Sequence, residues 1–583
     1  MTGGVVRTPP SVPARPPWSR VGLYVLAGGA GFGLPVLVGG SVAGFHGVTV
    51  DLPTAAVDVL LSLVRMVSAY LLSLGFSLLY GYVAATNRVG ERVLIPILDI
   101  LQSVPILGFF PIALVVLVGL TPHSWIGPNL ASIFLIFTSM SWNMVFGVYE
   151  SLKSFPADLR ESADSFGVHG LQRIRQVVFP ATVNRLVYNS VLSWTAGWYF
   201  LVLAEIFSTG ANGVSLPGIG SYLATAAVDK DGNAFLAGFI ILISVIAMMD
   251  FLVWRPLGRR AEKYRYDTSP SGESTEPGTP FGPRPLRRAA GYVARGVVTS
   301  VTRLGAPIAT FASRTAGAAP KPGPRTVSAA RYVAIGAVLV IGWLLLIFLS
   351  VGVFGVVTGP VTPAARHAIA TVPFALGASA VRLLAAYAIS VSIALPLAVF
   401  LVGRPKAYRV GLPIVEVVAS FPATALFPVF IVALIPYFGY EGVSILMIIT
   451  GMEWYLFFNI LSGVRGIPPD LDEAARAFGL SRWQYYKRLL LPAILPAFIT
   501  GSITAFGGGW NTLIVAEYFV LPNGSKFEVP GIGRLIDKGN AAGSAGLPLM
   551  VAALFAMVIT VVAVNELFWK PRYRLAVEKY RID

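Results

Sequence analysis

Cysteine is absent from the 583 residues, and histidine occurs only four times. Without cysteine the chain can form no disulfide, thiolate metal site or cysteine nucleophile. The four histidines show no metal-ligand spacing; they are His46, His123, His169 and His367. Charged residues make up only 12% of the chain, whereas soluble domains carry about 25%. The sequence therefore contains no metal cluster and no nucleophile constellation, and its low charge indicates a lipid environment.

Long apolar runs account for much of the 55% hydrophobic content. A helix needs roughly 20 apolar residues to cross a hydrocarbon core of about 30 Å. About twelve runs reach that length, six in each half. They lie near 21–43, 58–85, 94–119, 128–149, 187–207 and 235–254, then near 332–357, 374–402, 410–437, 442–464, 494–520 and 545–569. The sequence thus predicts an all-α polytopic membrane protein.

The net charge of +16 is concentrated on one side of these runs. Arginine and lysine follow the even-numbered spans, as Arg88 and Arg92 do after the second, and such loops stay in the cytoplasm. We therefore expect lipid rather than nucleic acid as the partner, and both termini in the cytoplasm. Residues 1–20 would form a cytoplasmic tail. Residues 268–330, rich in Pro, Gly and Arg, would form a cytoplasmic linker.

The two halves of the chain are copies of each other. Six positions recur 312 residues later: Trp142, Glu161, Gly167, Pro180, Trp198 and Glu205 reappear as Trp454, Glu473, Gly479, Pro492, Trp510 and Glu517. Each copy has an even number of spans, so two parallel six-helix repeats with a pathway between them are predicted. The first repeat would cover 21–267 with its core at 58–255. The second would cover 331–583 with its core at 374–570.

A short motif recurs in the loop after the fourth span of each copy. The second copy reads Asp472-Glu-Ala-Ala-Arg-Ala-Phe-Gly479 and later Leu491-Pro492. Alanines favour a short helix of little bulk, a glycine ends it, and a proline suits the start of the next helix. The candidate residues are Glu473, Ala474, Ala475, Gly479 and Pro492, with Glu161, Ser162, Ala163, Gly167 and Pro180 in the first copy. The alternative is an ordinary amphipathic loop helix.

These loops closely resemble the Glu-Ala-Ala loop of the permeases of ABC importers. The resemblance covers nearly all of the chain except the tail and the linker. It implies a type I importer permease fold in the plasma or inner membrane, with the loops docking on two ATP-binding cassette subunits. It also implies a substrate-binding protein outside. The chain has no Gly-x-x-x-x-Gly-Lys-Ser/Thr phosphate loop, so ATP would be hydrolysed by the partner, and the chain would carry no cofactor and be no enzyme.

Weaker motifs resemble the nitrate, sulfonate, taurine and bicarbonate type of permease. They are Ser103-Val-Pro105, repeated as Ser420-Phe-Pro422, and Ala204-Glu-Ile206, repeated as Ala516-Glu-Tyr518. The resemblance implies a small anion as the solute. Two alternatives stay open. One is a secondary transporter with parallel repeats, which would not explain the paired loops; the other is an importer of a non-anionic solute.

Several side chains within the spans are candidates for the pathway. Charged groups at mid-bilayer cost about 2.5–3.5 kcal/mol, so they call for a function. Paired guanidinium groups would favour an anion, but each could instead snorkel or pair with a glutamate. The candidates are Arg65, Arg382, Trp142, Trp454, Trp198, Trp510, Glu205 and Glu517. For the tryptophans the alternative is core packing or a lipid-facing belt.

Overall fold

The structure is a computed structural model that describes residues 52–264 and 363–580. Gaps in these ranges fall at 104, 109, 111–112, 114–116, 118–123, 169–171, 173–176, 211–215 and 543–545. The predicted tail, the predicted spans at 21–43 and 332–357, and the predicted linker lie outside the described residues.

Helices make up almost all of the described first copy. They are α1 (Leu52–Thr86), α2 (Arg88–Ser103), α3 (Ile126–Lys153), α4 (Ala157–Ser165), α5 (Phe179–Gly210), α6 (Ile219–Val228), α7 (Gly232–Met249) and α8 (Arg255–Ala261). A π-helical turn at Asp250–Trp254 joins α7 to α8, and a 3₁₀ turn at Glu262–Tyr264 follows.

The second copy repeats this order. Its helices are α9 (Pro363–Ala370), α10 (Val372–Val402), α11 (Pro405–Ala419), α12 (Ile435–Arg465), α13 (Pro469–Ala477), α14 (Arg482–Tyr485), α15 (Leu491–Glu517), α16 (Ile532–Ala541), α17 (Leu547–Val564) and α18 (Lys570–Tyr580). After α15 an antiparallel hairpin forms from β1 (Tyr518–Val520) and β2 (Lys526–Glu528), with Phe519 opposite Phe527.

Eight described helical segments are long and apolar enough to cross a membrane. They are Pro53–Thr86, Ile126–Lys153, Phe179–Ile206, Gly232–Ala261, Val372–Val402, Ala423–Arg465, Arg482–Glu517 and Leu547–Lys579. The prediction of an all-α polytopic membrane protein is confirmed. The number of about twelve spans stays a prediction, since two of the predicted spans fall outside the described residues.

The predicted span at 410–437 is wrong as a single helix. Helix α11 ends at Ala419, and helical structure resumes at Ala423 as a 3₁₀ turn. Pro422 explains the break, because proline has no N–H and disfavours a helical residue before it. The chain then continues through a π-helical turn into α12, which is interrupted at Gly439. In the first copy α2 likewise ends at Ser103, two residues before Pro105.

The long helices of both copies pack around one continuous hydrophobic core. In the first copy α3 lies between α1 and α5; in the second, α12 lies between α10 and α15. The matching order places the two short loop helices, α4 and α13, at equivalent positions. It also brings α5 and α15, which carry Glu205 and Glu517, toward the boundary between the copies.

Candidate functional site

The two loop helices end with the same backbone geometry. Gly167 and Gly479 both adopt left-handed conformations, with φ of +67° and +63°. The amide that follows each glycine donates back into the helix: Val168 N to Ala163 O, and Leu480 N to Ala475 O, both at 3.0 Å. Glycine adopts such a conformation at no steric cost, which makes it the usual residue one step past a helix end. Each loop helix therefore stops sharply.

At the end of each loop helix a phenylalanine side chain is exposed to solvent. Phe166 is 85% exposed and Phe478 is 84% exposed, although phenylalanine is normally a core residue. Glu161 and Glu473 are exposed as well. Exposed aromatic side chains are typical anchors of protein interfaces. Neither phenylalanine was among the candidates predicted from the sequence; the available signal was the Phe-Gly dipeptide, which recurs in the same place.

The small residues of the loop helices face a different way from the aromatic ones. Ala163 and Ala475 are buried against the chain itself, while Ala474 is half-buried and Ser162 is exposed. Only part of the Glu-Ala-Ala motif therefore lies on an outer surface. Pro180 and Pro492 each occupy the second residue of the following long helix, α5 and α15.

The loops are held to neighbouring helices by polar contacts. In the second copy the Tyr485 hydroxyl donates to Asp472 Oδ1 at 2.7 Å, and Ser481 and Gln484 form a capping box. In the first copy, where α3 ends, Lys153 Nζ donates to Glu91 Oε2 at 2.6 Å. This hydrogen bond from Lys153, together with one from Tyr149, lowers the pKa of the Glu91 carboxyl. The contacts fix where each loop leaves its helix.

A buried ion pair ties α1, α5 and α6 together in the first copy. Arg65 Nη1 donates to Glu205 Oε1 at 2.7 Å, and both side chains are almost completely buried. The Ser62 hydroxyl also donates to Glu205 Oε1 at 2.7 Å, and the Gly220 amide donates to Oε2 at 2.9 Å. Arg65 Nε donates to Asn129 Oδ1 at 2.7 Å. The carboxylate thus has partners on both oxygens, as a buried charge requires.

The second copy repeats this network position by position. Arg382 donates to Glu517 Oε1, the Ser379 hydroxyl donates to the same oxygen at 2.6 Å, and the Gly533 amide donates to Oε2 at 2.8 Å. One member differs: Arg382 also binds both oxygens of Glu441, at 2.8 and 2.9 Å, where the first copy has Asn129. The pairing alternative of the sequence analysis is therefore present in both copies.

Glycines allow the loop before α6 and α16 to wrap around each glutamate. A Cβ on Gly218 would lie 2.2 Å from the Glu205 carboxyl carbon, and one on Gly531 would lie 2.1 Å from that of Glu517. Any other residue would displace the carboxylate. This explains the first glycine of Pro217-Gly-Ile-Gly220, a sequence that recurs as Pro530-Gly-Ile-Gly533. Because each arginine is neutralised by a buried carboxylate, neither offers a free positive charge in this conformation.

The candidate tryptophans lie in different surroundings. Trp198 and Trp510 are buried, at 1% and 3% exposure, whereas Trp142 and Trp454 are half-buried. Trp142 packs with the cluster around Tyr80, between α1 and α2. Trp510 lines a cavity of about 990 Å³ between α10, α15 and the end of α17. The structure does not bring the four together, and their pathway role stays a prediction.

Polar contacts join the two copies at the C-terminal halves of α5 and α15. The Tyr199 hydroxyl lies 2.6 Å from Thr512 Oγ1, and the Thr424 hydroxyl donates to Tyr199 O at 3.1 Å. Asn511 Oδ1 accepts from the Ile106 amide at 2.6 Å. In each copy, the segment that follows the break in the third predicted span thus contacts the other copy. These segments contain Ile106 and Thr424. The boundary between copies, where a pathway would run, is closed here by side chains.

A small cavity lies at this boundary. Leu107 and Phe110 from the first copy line it together with residues from the second, among them Tyr518 and Asp537. Its volume of about 10 Å³ leaves room for about one water molecule. Burial raises the pKa of Asp537 to about 7, against the opposing effects of a hydrogen bond from Asn540 and of Lys526. Asp537 was not among the candidates predicted from the sequence.

A second missed carboxylate lies inside a membrane span. Glu453 is buried in α12, and its Oε2 has no hydrogen-bond partner among the described residues. The equivalent position 312 residues earlier is Ser141, which donates to Ser73 Oγ at 3.3 Å. A carboxylate within an apolar span was the available signal. The repeat comparison concealed it because only one copy carries it.

The chain matches one protein family twice. The family is described as the binding-protein-dependent transport system inner membrane component, and the matches cover residues 77–254 and 390–568. Together they account for more than half of the chain.

Individual relatives match over shorter stretches. The taurine transport system permease protein of Escherichia coli strain K12 is 29% identical over 162 residues, which are 28% of this chain and 58% of that protein. The nitrate import permease protein of Leptolyngbya laminosa is 32% identical over 105 residues, 18% of this chain and 37% of its own. The bicarbonate transport system permease protein of Synechococcus elongatus is 34% identical over 86 residues, which are 15% of this chain and 31% of that protein. The alignments thus span about a third to three fifths of these relatives.

Proposed function

Because the chain belongs to the family of binding-protein-dependent transport system inner membrane components, we propose that it is the fused permease of an ATP-driven importer. Both permease units of the importer would come from one polypeptide, with cores at 58–255 and 374–570. The chain would form the pathway and carry out no covalent chemistry. ATP would be bound and hydrolysed on partner subunits, and the permease would bind no cofactor.

The pair of loop helices carries this proposal. Each presents an exposed phenylalanine at its end and stops at a left-handed glycine, in the same place in both copies. Two equivalent surfaces suit two ATPase subunits. The aromatic side chain would insert into a groove of the ATPase, and the rigid helix would pass its movement on to α5 and α15. The excess of Arg and Lys in these loops supports a cytoplasmic location for this side, where both termini would also lie.

The solute would be a small anion, delivered by a substrate-binding protein from outside. The relatives named for taurine, nitrate and bicarbonate support this class. In this conformation the arginines stabilise the fold through their glutamates. They would not serve as an anion site unless the buried pairs separate.

The first experiment is to purify the tagged chain in mild detergent and identify its partners by mass spectrometry. We expect an ATPase with a phosphate-binding loop, at about two copies per chain. Recovery of the chain alone, with transport intact in liposomes that contain no ATPase, would indicate a secondary transporter instead.

A further inference from the structure

The internal repeat shows which side chains the fold itself needs. Asp537 in α16 corresponds to Ala224 in α6, 313 positions earlier, in the same frame that aligns Gly533 with Gly220. Ala224 is completely buried, and the first copy forms its helix and ion-pair network without a carboxylate there. The carboxylate of Asp537 is therefore not a requirement of this architecture.

The carboxylate is also incompletely satisfied. Asp537 is 8% exposed, and its Oδ2 has no hydrogen-bond partner among the described residues. A buried carboxylate with an unmet oxygen is unfavourable by comparison with alanine. Such a group calls for a partner, which is a water molecule in the closed cavity or a ligand once the cavity opens.

The position of Asp537 in the fold indicates where such a ligand would bind. The side chain lines the small cavity between the two copies, opposite Leu107 and Phe110 of the first copy. Tyr518 lines the same cavity. A carboxylate next to aromatic rings is a combination that attracts an organic cation, and it repels a simple anion.

We propose that Asp537, with Tyr518 and Phe110, forms a gate site for the ammonium group of a zwitterionic solute. The site rests on the proposed importer function and narrows its substrate to small acids that also carry an amino group. When the copies separate, the cavity opens and the ammonium group meets Asp537 Oδ2. The site lies on one copy only, so the solute passes the gate in one orientation.

The test uses the complete complex of chain, ATPase and substrate-binding protein in proteoliposomes. The probes are taurine and 2-hydroxyethanesulfonate, which have the same size and differ in the ammonium group, with nitrate as a simple anion. We expect ATP-driven uptake of taurine to exceed that of 2-hydroxyethanesulfonate by about tenfold or more, because the hydroxyl analogue offers the carboxylate a neutral hydrogen bond and no counter-charge.

Two variants separate a gate role from a folding role. Asp537→Asn keeps the shape, and Asp537→Ala reproduces the residue of the first copy. Both should reduce the taurine preference to near one while uptake of 2-hydroxyethanesulfonate continues. Glu528→Gln, which alters a neighbouring carboxylate paired with Arg534 outside the cavity, should keep the preference.

The outcomes distinguish the two proposals. A complex that moves nitrate or 2-hydroxyethanesulfonate as well as taurine, or a taurine preference that survives Asp537→Asn, overturns the gate site and leaves the importer intact. A complex that hydrolyses ATP but moves none of the probes contradicts the anion class, and the gate site with it. A chain that recruits no ATPase overturns the importer itself.

Discussion

The role of a single residue can be inferred by comparing it with the equivalent residue of the other copy. The arginine, the glutamate, the serine and the glycine amide of the buried networks are the same in both copies, with Ser62 matched by Ser379. Asn129 and Glu441 differ, and so do Ala224 and Asp537. Residues that are the same in both copies hold the helices together. Residues that differ indicate a role that only one copy has.

The difference between Asn129 and Glu441 leads to a prediction about stability. Glu205→Gln leaves Arg65 buried without a counter-charge, which typically costs about 3–5 kcal/mol. Glu517→Gln leaves Arg382 paired with Glu441, which is mostly exposed and so compensates by up to about 1 kcal/mol. We expect Glu205→Gln to lower the melting temperature in detergent more than Glu517→Gln does. The double variants with Arg65→Leu and Arg382→Leu serve as controls, since removing both charges should recover part of the loss. An equal or larger loss for Glu517→Gln would contradict this role of Glu441.

The sequence indicated the arginine–glutamate pairs only as an alternative. Arg65 and Glu205 lie 140 positions apart, so their contact depends on how α1 and α5 pack. Ser62 and Gly220 were not foreseen for the same reason. Intramembrane charge is visible in a sequence, but its partner is a property of the fold.

Among the elements, the loop helices α4 and α13 offer the sharpest experiment. Phe478→Ala should weaken the affinity for the ATPase by about tenfold or more, because truncating an aromatic anchor typically costs 2 kcal/mol or more. The measurement is the amount of ATPase retained by the purified chain at a series of detergent washes. Phe374→Ala, which removes an exposed phenylalanine from α10, is the matched control and should retain the ATPase fully.

A glycine substitution complements that experiment. Gly479→Asp should also release the ATPase. Its side chain would enter open space, and aspartate tolerates the left-handed backbone at φ +63° better than most residues, so the added strain stays local and the chain should still fold. Retention of the ATPase by both Phe478→Ala and Gly479→Asp would show that α13 is not the coupling element.

Apolar length predicted the long helices well and the third span of each copy poorly. Helices α10 and α17 agree closely with their predicted spans at 374–402 and 545–569. The predicted span at 410–437 had the right composition, but Pro422 divides it. Hydropathy is averaged over many residues, so a single proline that ends a helix does not change it noticeably. The burial of Ala475 was likewise beyond the sequence, which gives helix propensity but not which face turns inward.

At the scale of the whole molecule, the proposed transport would require the two copies to move apart. The Ile106 amide and the Asn511 side chain join them at 2.6 Å, and the chain has no native cysteine to interfere. We expect the double variant Ile106→Cys and Asn511→Cys to form a cross-link on oxidation, to stop ATP-driven uptake, and to regain it on reduction. The two single variants are the controls. Full uptake in the cross-linked chain would mean that the pathway does not open at this contact.

The even number of predicted spans in each copy predicts that the copies lie parallel to each other. The closed boundary could not be predicted, because Tyr199 and Thr512 meet only once both copies are folded. A repeat gives the symmetry of a transporter, whereas the state of its gate depends on side-chain contacts between the repeats.

Because both copies are encoded in one polypeptide, a mutation changes only one of them. In a dimer of identical chains every mutation appears twice, once on each side of the axis, so a new carboxylate would face its own duplicate. Here a mutation at Asp537 leaves Ala224 untouched. Fusion thus lets one copy acquire a trait while the other keeps its own packing, and selection can act on the two copies separately.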